Sequence, residues 1–129
     1  MDFIPDERAP IVLLHEGLGS TSAWGAFPSD LAAASGRTVL AYDRRGYGRS
    51  GDWQPPWGVD FLARETDEVL APLLTELIGR PAVLVGHSDG ATIALASPWW
   101  LQQRDKMECL PLGIVSIAAH VFVEEISIR

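Results

Sequence analysis

The chain has 129 residues, of which 47% are hydrophobic, and it carries a formal net charge of −7 at pH 7. This length suits a single domain over residues 1–129, with enough apolar residues to build a core. The acidic excess disfavours nucleic acid and anionic membranes as partners, because both are negatively charged themselves.

The cysteine content and the N-terminal residues indicate the cellular compartment. Cys109 is the single cysteine of the sequence, so no internal disulfide can form, and a reducing compartment is compatible with this. The segment from Met1 to Glu7 is acidic where a signal peptide would be basic, and no apolar run approaches the ~18 residues of a membrane span. We therefore expect a cytoplasmic protein without a membrane partner.

The first half of the chain shows two predicted strands with a helix between them. Residues 10–14 form a short apolar run, which is typical of a strand buried on both faces. A helix is predicted over Pro28–Ser35, ended by Gly36, and a second strand over Thr38–Tyr42. Residues 52–58 hold two prolines and two tryptophans and are predicted as a loop.

The second half continues the alternation of helices and strands. Leucines and a valine at helical spacing predict a long helix from Asp60 to Gly79, which Pro72 should kink or split. A third strand is predicted over residues 82–85, and a short helix follows it as far as Pro98. A fourth strand is expected over 113–119, whereas residues 99–111 show no clear pattern.

This order of elements predicts the fold class. Strands that alternate with helices form parallel sheets with right-handed crossovers, so we expect an α/β protein. Its architecture would be a three-layer sandwich, in which helices flank a short, mostly parallel sheet of about four strands. Ligands of such sheets bind at the carboxyl ends of the strands, where His15, Asp43, Ser88 and His120 would all lie.

The strongest motif is Gly86-His87-Ser88-Asp89-Gly90, which stands between an apolar run and a helix-forming run. A serine in this context sits on a sharp strand-to-helix turn, called a nucleophile elbow, which lifts its hydroxyl above the sheet. The flanking glycines would allow the close approach of neighbouring backbone. An ordinary glycine-flanked turn is the alternative interpretation. We predict that Ser88 is a nucleophile.

The loop at residues 15–20 follows the first strand and contains two glycines. An acyl-transfer site needs two N–H donors that face the developing oxyanion. The amide of Asp89 would be one donor, and an amide of this loop, at Glu16 or Gly17, would be the other. The alternative is a tight turn that needs glycine only for its backbone angles.

The remaining motifs indicate neither a cofactor nor a metal. Residues 46–51 match the Gly-x-Gly-x-x-Gly pattern, but prolines follow where a dinucleotide site needs a helix to begin. No pair of cysteine or histidine residues has zinc-ligand spacing. His15 is interpreted as part of its loop's hydrogen bonding, and His87 as a packing or orienting residue. His120 is either a structural histidine or the base for Ser88.

Taken together, residues 15–20, 43–50 and 86–90 resemble the α/β-hydrolase family in both order and spacing. The resemblance spans roughly residues 10–126 and implies that Ser88 is the nucleophile and that the amides of Asp89 and Glu16 form the oxyanion hole. A serine at this position points away from the family branches that use aspartate. It favours carboxylic esters, thioesters or similar small acyl substrates.

The resemblance also implies features that this sequence lacks. Family members are about twice as long, and their acid and histidine follow the strands found here. We therefore expect a truncated core, catalytically incomplete, or a minimal esterase that uses His120 as its base with Glu124, Glu125 or Asp43 orienting it. The third hypothesis is a remnant that binds a partner or self-associates through an exposed sheet edge.

Overall fold

The computed structural model describes residues 8–17, 19–45, 47–48, 50 and 60–119. Its centre is a parallel sheet of four strands in the order β2-β1-β3-β4. The strands are β1 (Ile11–Leu14), β2 (Val39–Tyr42), β3 (Val83–His87) and β4 (Gly113–Ile117). The predicted α/β class and the parallel sheet are confirmed, and all four predicted strands are present.

The central strands are apolar because both of their faces are covered. All four residues of β1 are buried, and β1 pairs with β2 on one side and with β3 on the other. This is the environment that favours continuous β-branched and leucine runs. The resulting register places Leu14, at the end of β1, beside Gly86 on β3. The two loops that carry the candidate site therefore begin next to each other.

Helices form the outer layers. α1 (Phe27–Ser35) has a proline in its first turn and ends at Gly36, whose φ of 65° is the left-handed value that favours glycine. α2 (Phe61–Glu65) continues through π-helical turns at Thr66–Leu70 and Leu73–Ile78, and the chain leaves the last of these at Gly79. Ala71 and Pro72, between these turns, keep right-handed helical backbone angles, so the helix is not split at Pro72, and the predicted kink stays a prediction.

The predicted end of the last helix at Pro98 is wrong. α3 runs from Asp89 to Gln103 and contains Pro98, so it includes part of the segment that the sequence left unassigned. A proline inside a helix removes the N–H that would bond the carbonyl four residues earlier. Here the Ser97 hydroxyl donates to the Ala94 carbonyl at 2.7 Å and replaces that missing donor.

Two apolar clusters hold the layers together. On one face of the sheet, β1, β3 and α3 contribute to a cluster that includes Leu14, Leu84 and Ile93. On the other face, Leu31 of α1 packs against a smaller cluster that contains Leu13 and Val85. Within the described ranges, no helix has both the length and the apolar character needed to cross a bilayer.

One face of the fourth strand is left uncovered by the residues that the structure describes. Val115 pairs in register with Val85 and therefore lies on the α1 side of the sheet, yet it is 49% exposed. Ile117, two residues further on, is 45% exposed on the same face, and in the described part of the chain β4 pairs with β3 alone. This face of β4 is an apolar surface without a covering layer among the described residues.

Candidate functional site

Ser88 lies at the turn between β3 and α3. Its backbone angles are φ 56° and ψ −116°, a combination that L-residues rarely adopt. The Ser88 amide donates to the Ile117 carbonyl of β4 at 2.8 Å, and the Ser88 carbonyl accepts from Thr92 at 3.1 Å in the first turn of α3. The strained residue is thus held from both sides, as is common at functional sites.

The two flanking glycines allow this turn to exist. A Cβ at Gly86 would lie 2.6 Å from the Ala91 backbone, and one at Gly90 would lie 2.6 Å from the Leu14 carbonyl carbon. Every one of these contacts is with backbone, so no side chain could rotate away to make room. The steric reason predicted for the glycines is therefore present in the structure.

The loop after β1 lies against the start of α3. A Cβ at Gly17 would collide with the carboxylate of Asp89, whose Cγ would be 3.1 Å away. The amide of Asp89 is the first N–H of α3, so it has no acceptor within the helix. Helix N-termini favour negative charge because their N–H groups and the helix dipole point toward it. The structure therefore brings together Glu16, Gly17 and Asp89, the three residues that were predicted to form the oxyanion hole.

His15 holds this loop through both of its ring nitrogens. Nδ1 lies 2.7 Å from the Glu16 carbonyl and therefore donates to it, while Nε2 accepts the backbone N–H of Arg44 at 2.9 Å. This pair of bonds requires a neutral ring with its proton on Nδ1. Burial lowers the pKa of His15, which is consistent with the neutral form. His15 is thus a loop-fixing residue, as the sequence indicated.

The loop after β2 is fixed by Asp43. Its carboxylate accepts the Thr21 amide at 2.6 Å, and its carbonyl accepts the Ser50 hydroxyl. Gly48, at φ 50°, packs against the same carboxylate so closely that a Cβ there would overlap it. The Asp43 carboxylate therefore links the loop after β2 to Thr21, in the segment between β1 and α1. Its predicted alternative use, orienting His120, stays a prediction because His120 lies outside the described residues.

Two buried charged residues were missed by the sequence analysis. Arg44 and Glu65 are each 1% exposed. Glu65 accepts the Arg45 backbone N–H at 3.2 Å, and burial raises its pKa. Glu65 lies three residues after Leu62 and four before Val69, on the apolar stripe of the helix, and that spacing was the available signal. No local pattern marks Arg44.

A cavity of about 370 Å³ adjoins the same loops. It is lined by His15, Glu16, Ala23, Trp24 and His87. Trp24 stacks on Phe27 with ring centroids 5.6 Å apart, which adds an aromatic wall. Trp24 therefore lines a pocket, whereas Trp99 and Trp100 pack edge to face on α3. Trp53, Trp57, Glu124 and Glu125 lie outside the described residues.

This arrangement can present a serine hydroxyl beside backbone N–H donors at the carboxyl end of the sheet. It holds a serine on a strained turn, a helix N-terminus beside that serine, a glycine loop against the helix, and a cavity next to both. No group of three or more His, Cys, Asp or Glu side chains among the described residues could hold a metal ion.

Comparison with known proteins gives consistent matches over nearly the whole chain. The sequence profile of the alpha/beta hydrolase family matches residues 11–126. A proline iminopeptidase of Lactiplantibacillus plantarum is 49% identical over 90 residues, which are 68% of this chain and 30% of that protein. An sn-1-specific diacylglycerol lipase of Danio rerio is 32% identical over 110 residues, which are 85% of this chain and 32% of that protein.

The solved structures agree with the sequence matches. The thioesterase domain from the curacin biosynthetic pathway superposes with a TM-score of 0.63 at 30% identity and covers 91% of this chain and 39% of that one. The chain thus spans about a third of the length of the curated relatives described above.

Proposed function

The chain belongs to the alpha/beta hydrolase family, and on that premise we propose that it carries the nucleophile and the oxyanion hole of a serine hydrolase that cleaves carboxylic esters or related acyl substrates. The observation that carries the proposal is the backbone of Ser88, with φ 56° and ψ −116°, at the junction of β3 and α3. This strain needs support from several elements, and its clearest use is to present the hydroxyl.

The proposed reaction proceeds through an acyl-enzyme. The Ser88 oxygen attacks the acyl carbonyl carbon, and its hydroxyl proton passes to a base that returns it to the leaving alcohol or thiol. Water then attacks the acyl-enzyme, releases the acid and restores the Ser88 hydroxyl. The negative charge that develops on the carbonyl oxygen in each half is stabilised by the amides of Asp89 and of the loop after β1.

The identity of the loop donor follows from a peptide orientation. The Glu16 carbonyl is bonded by the His15 ring, and in a trans peptide the next N–H points in the opposite direction. That N–H belongs to Gly17, which packs against the Asp89 side chain. We therefore assign the loop donor to Gly17, one residue after the Glu16 amide that the family resemblance suggested.

The named relatives support an acyl substrate without specifying which one. They are an iminopeptidase, a lipase and a thioesterase, and each name describes cleavage of an acyl bond to a different leaving group. The cavity next to the site is lined by an aromatic residue, two histidines and a carboxylate, so it suits a small acyl group.

The function is tested with p-nitrophenyl acetate and its thioester and amide analogues. We expect the wild-type chain to release p-nitrophenol from the ester, and we expect this release to be lost in Ser88→Ala. Release of p-nitrothiophenol or p-nitroaniline would report cleavage of the thioester or the amide. The matched control is Ser116→Ala, which removes an exposed hydroxyl from β4. Equal release by wild type and Ser88→Ala would contradict the proposal.

A binding or self-associating role is the second candidate, and the uncovered face of β4 favours it. Three apolar side chains are exposed in this region. Val115 and Ile117 on β4 are 49% and 45% exposed, and Leu112, just before β4, is 69% exposed. Unpaired strand edges with apolar residues readily recruit another chain. Light scattering should show association that Val115→Lys abolishes, and a wild-type monomer at high concentration would contradict this role.

A further inference from the structure

We infer that Arg44 is a positioning residue of the oxyanion hole, which it holds through the Glu16–Gly17 peptide and Asp89; this inference rests on the proposed function. Arg44 is 1% exposed and is the second residue after β2, and its guanidinium group lies inside the protein against the loop after β1 and the start of α3. A buried cation is costly unless it is well paired.

The guanidinium group reaches the loop donor. Arg44 Nη2 donates to the Glu16 carbonyl at 3.3 Å, the same oxygen that accepts from His15 Nδ1 at 2.7 Å. The Gly19 amide donates to the same oxygen at 3.4 Å, and the three donors together fix the plane of the peptide and direct the Gly17 N–H away from them. They also polarise the peptide, which makes that N–H a stronger donor.

The same group reaches the second donor. Arg44 Nη2 lies 3.8 Å from the Asp89 carboxylate, at the first residue of α3. One side chain therefore interacts with both backbone segments that supply oxyanion donors. In addition, the Arg44 backbone N–H bonds His15 Nε2, so the histidine and the arginine hold each other in place.

The charge of Arg44 is balanced by the Asp89 carboxylate and by that of the buried Glu65, whose pKa the Arg44 charge lowers against the larger effect of burial. Its ion pair with Asp89 is longer than a hydrogen bond, and its Nε atom is buried with no hydrogen-bond partner among the described residues. The Tyr47 ring, 4.7 Å from the guanidinium carbon, supplies weak additional stabilisation.

The test compares Arg44→Met and Arg44→Lys with Arg104→Met. Arg104 makes an ion pair of similar kind with Asp67 at 2.8 Å, on an exposed surface away from the site. The first readout is the phosphonylation of Ser88 by a fluorophosphonate, resolved into a binding constant and a limiting rate constant. The second is the pKa of His15 from NMR of the ring, with His15→Gln used for assignment.

Arg44→Met should lower the limiting rate constant roughly ten- to hundredfold, because a displaced donor costs that much in rate, with little change in the binding constant. Arg44→Lys keeps the positive charge but loses the planar guanidinium group. Its limiting rate constant should therefore lie between those of Arg44→Met and wild type. The His15 pKa should rise in Arg44→Met, since the Arg44 charge is among the causes that lower it. Arg104→Met should match wild type in both readouts.

A wild-type limiting rate constant in folded Arg44→Met would overturn the inference and leave the proposed function intact. If Arg44→Met does not fold, a wild-type limiting rate constant in Arg44→Lys overturns it equally. Failure of the wild-type chain to react at Ser88 would remove the proposed function and this inference with it. An unchanged His15 pKa in Arg44→Met would contradict the placement of the guanidinium group beside the loop.

Discussion

The contact between Gly90 and the end of β1 makes the elbow geometry testable without any substrate. A Cβ at Gly90 would lie 2.6 Å from the Leu14 carbonyl carbon and 2.7 Å from the His15 oxygen. Ordinary carbon contacts are about 3.5–4.0 Å, so Gly90→Ala must separate β1 from α3 by roughly 1 Å. The atoms to be moved are backbone, and Leu14 is fully buried.

The expected effect is a loss of stability despite a better helix former. Replacing glycine by alanine in a helix gains up to about 1 kcal/mol, whereas overpacking a filled interior typically costs about 1–3 kcal/mol. We expect a net loss of about 1–2 kcal/mol in the free energy of unfolding. Because β1 leads into the Gly17 loop, the same shift should also slow the reaction of Ser88.

The assay is urea unfolding followed by tryptophan fluorescence, with the midpoints compared at equal slope. Gly113→Ala is the matched control, because a Cβ there meets nothing within 4 Å. This control should stay within about 0.5 kcal/mol of wild type. If Gly90→Ala is as stable as Gly113→Ala, the tight packing of the elbow against β1 is refuted.

Three further predictions concern His15, Ser97 and His120. Because the folded-state pKa of His15 lies below the ordinary 6.5, the unfolded chain takes up a proton first, and stability should fall as pH drops below 6.5. His15→Gln should flatten the pH dependence of the urea midpoint in that window, and an unaltered profile would argue against the buried neutral ring. Ser97→Ala should cost about 1–3 kcal/mol in the free energy of unfolding, because it leaves the Ala94 carbonyl without its donor. Adding Pro98→Ala restores a backbone N–H and should recover most of this loss; additive effects of the two changes would count against the explanation. His120→Ala should abolish cleavage of p-nitrophenyl acetate while the circular dichroism spectrum stays that of wild type, and retained cleavage would remove His120 as the base.

The parts of the fold that the sequence predicts are those set by local patterns. Short apolar runs such as residues 11–14 indicate buried strands. At a length of four residues, a strand inside a parallel sheet is the element whose two faces are both covered. The Gly86–Gly90 motif predicts its turn because a Cβ at Gly86 would collide with the backbone of Gly90 and Ala91 within the same turn. Gly36 predicts the end of α1 because its left-handed backbone suits glycine.

The parts that the sequence does not predict depend on contacts between distant segments. The continuation of α3 through Pro98 depends on a hydroxyl that bonds the vacated carbonyl, which a rule about proline does not consider. The burial of Arg44 depends on the loop after β1, the Tyr47 ring and the start of α3, which close around it from three directions. The proposed choice of Gly17 as the loop donor depends on the orientation of one peptide, which no local sequence pattern specifies.

The central claim, that Ser88 is an activated nucleophile, is tested most directly by intact mass after reaction with a fluorophosphonate. In this reaction the Ser88 oxygen forms a bond to phosphorus, fluoride leaves, and the hydroxyl proton is lost to a base. We expect one phosphonyl group per chain in the wild type and none in Ser88→Ala. A folded wild-type chain that stays unmodified, or that is modified equally in Ser88→Ala, would contradict the claim.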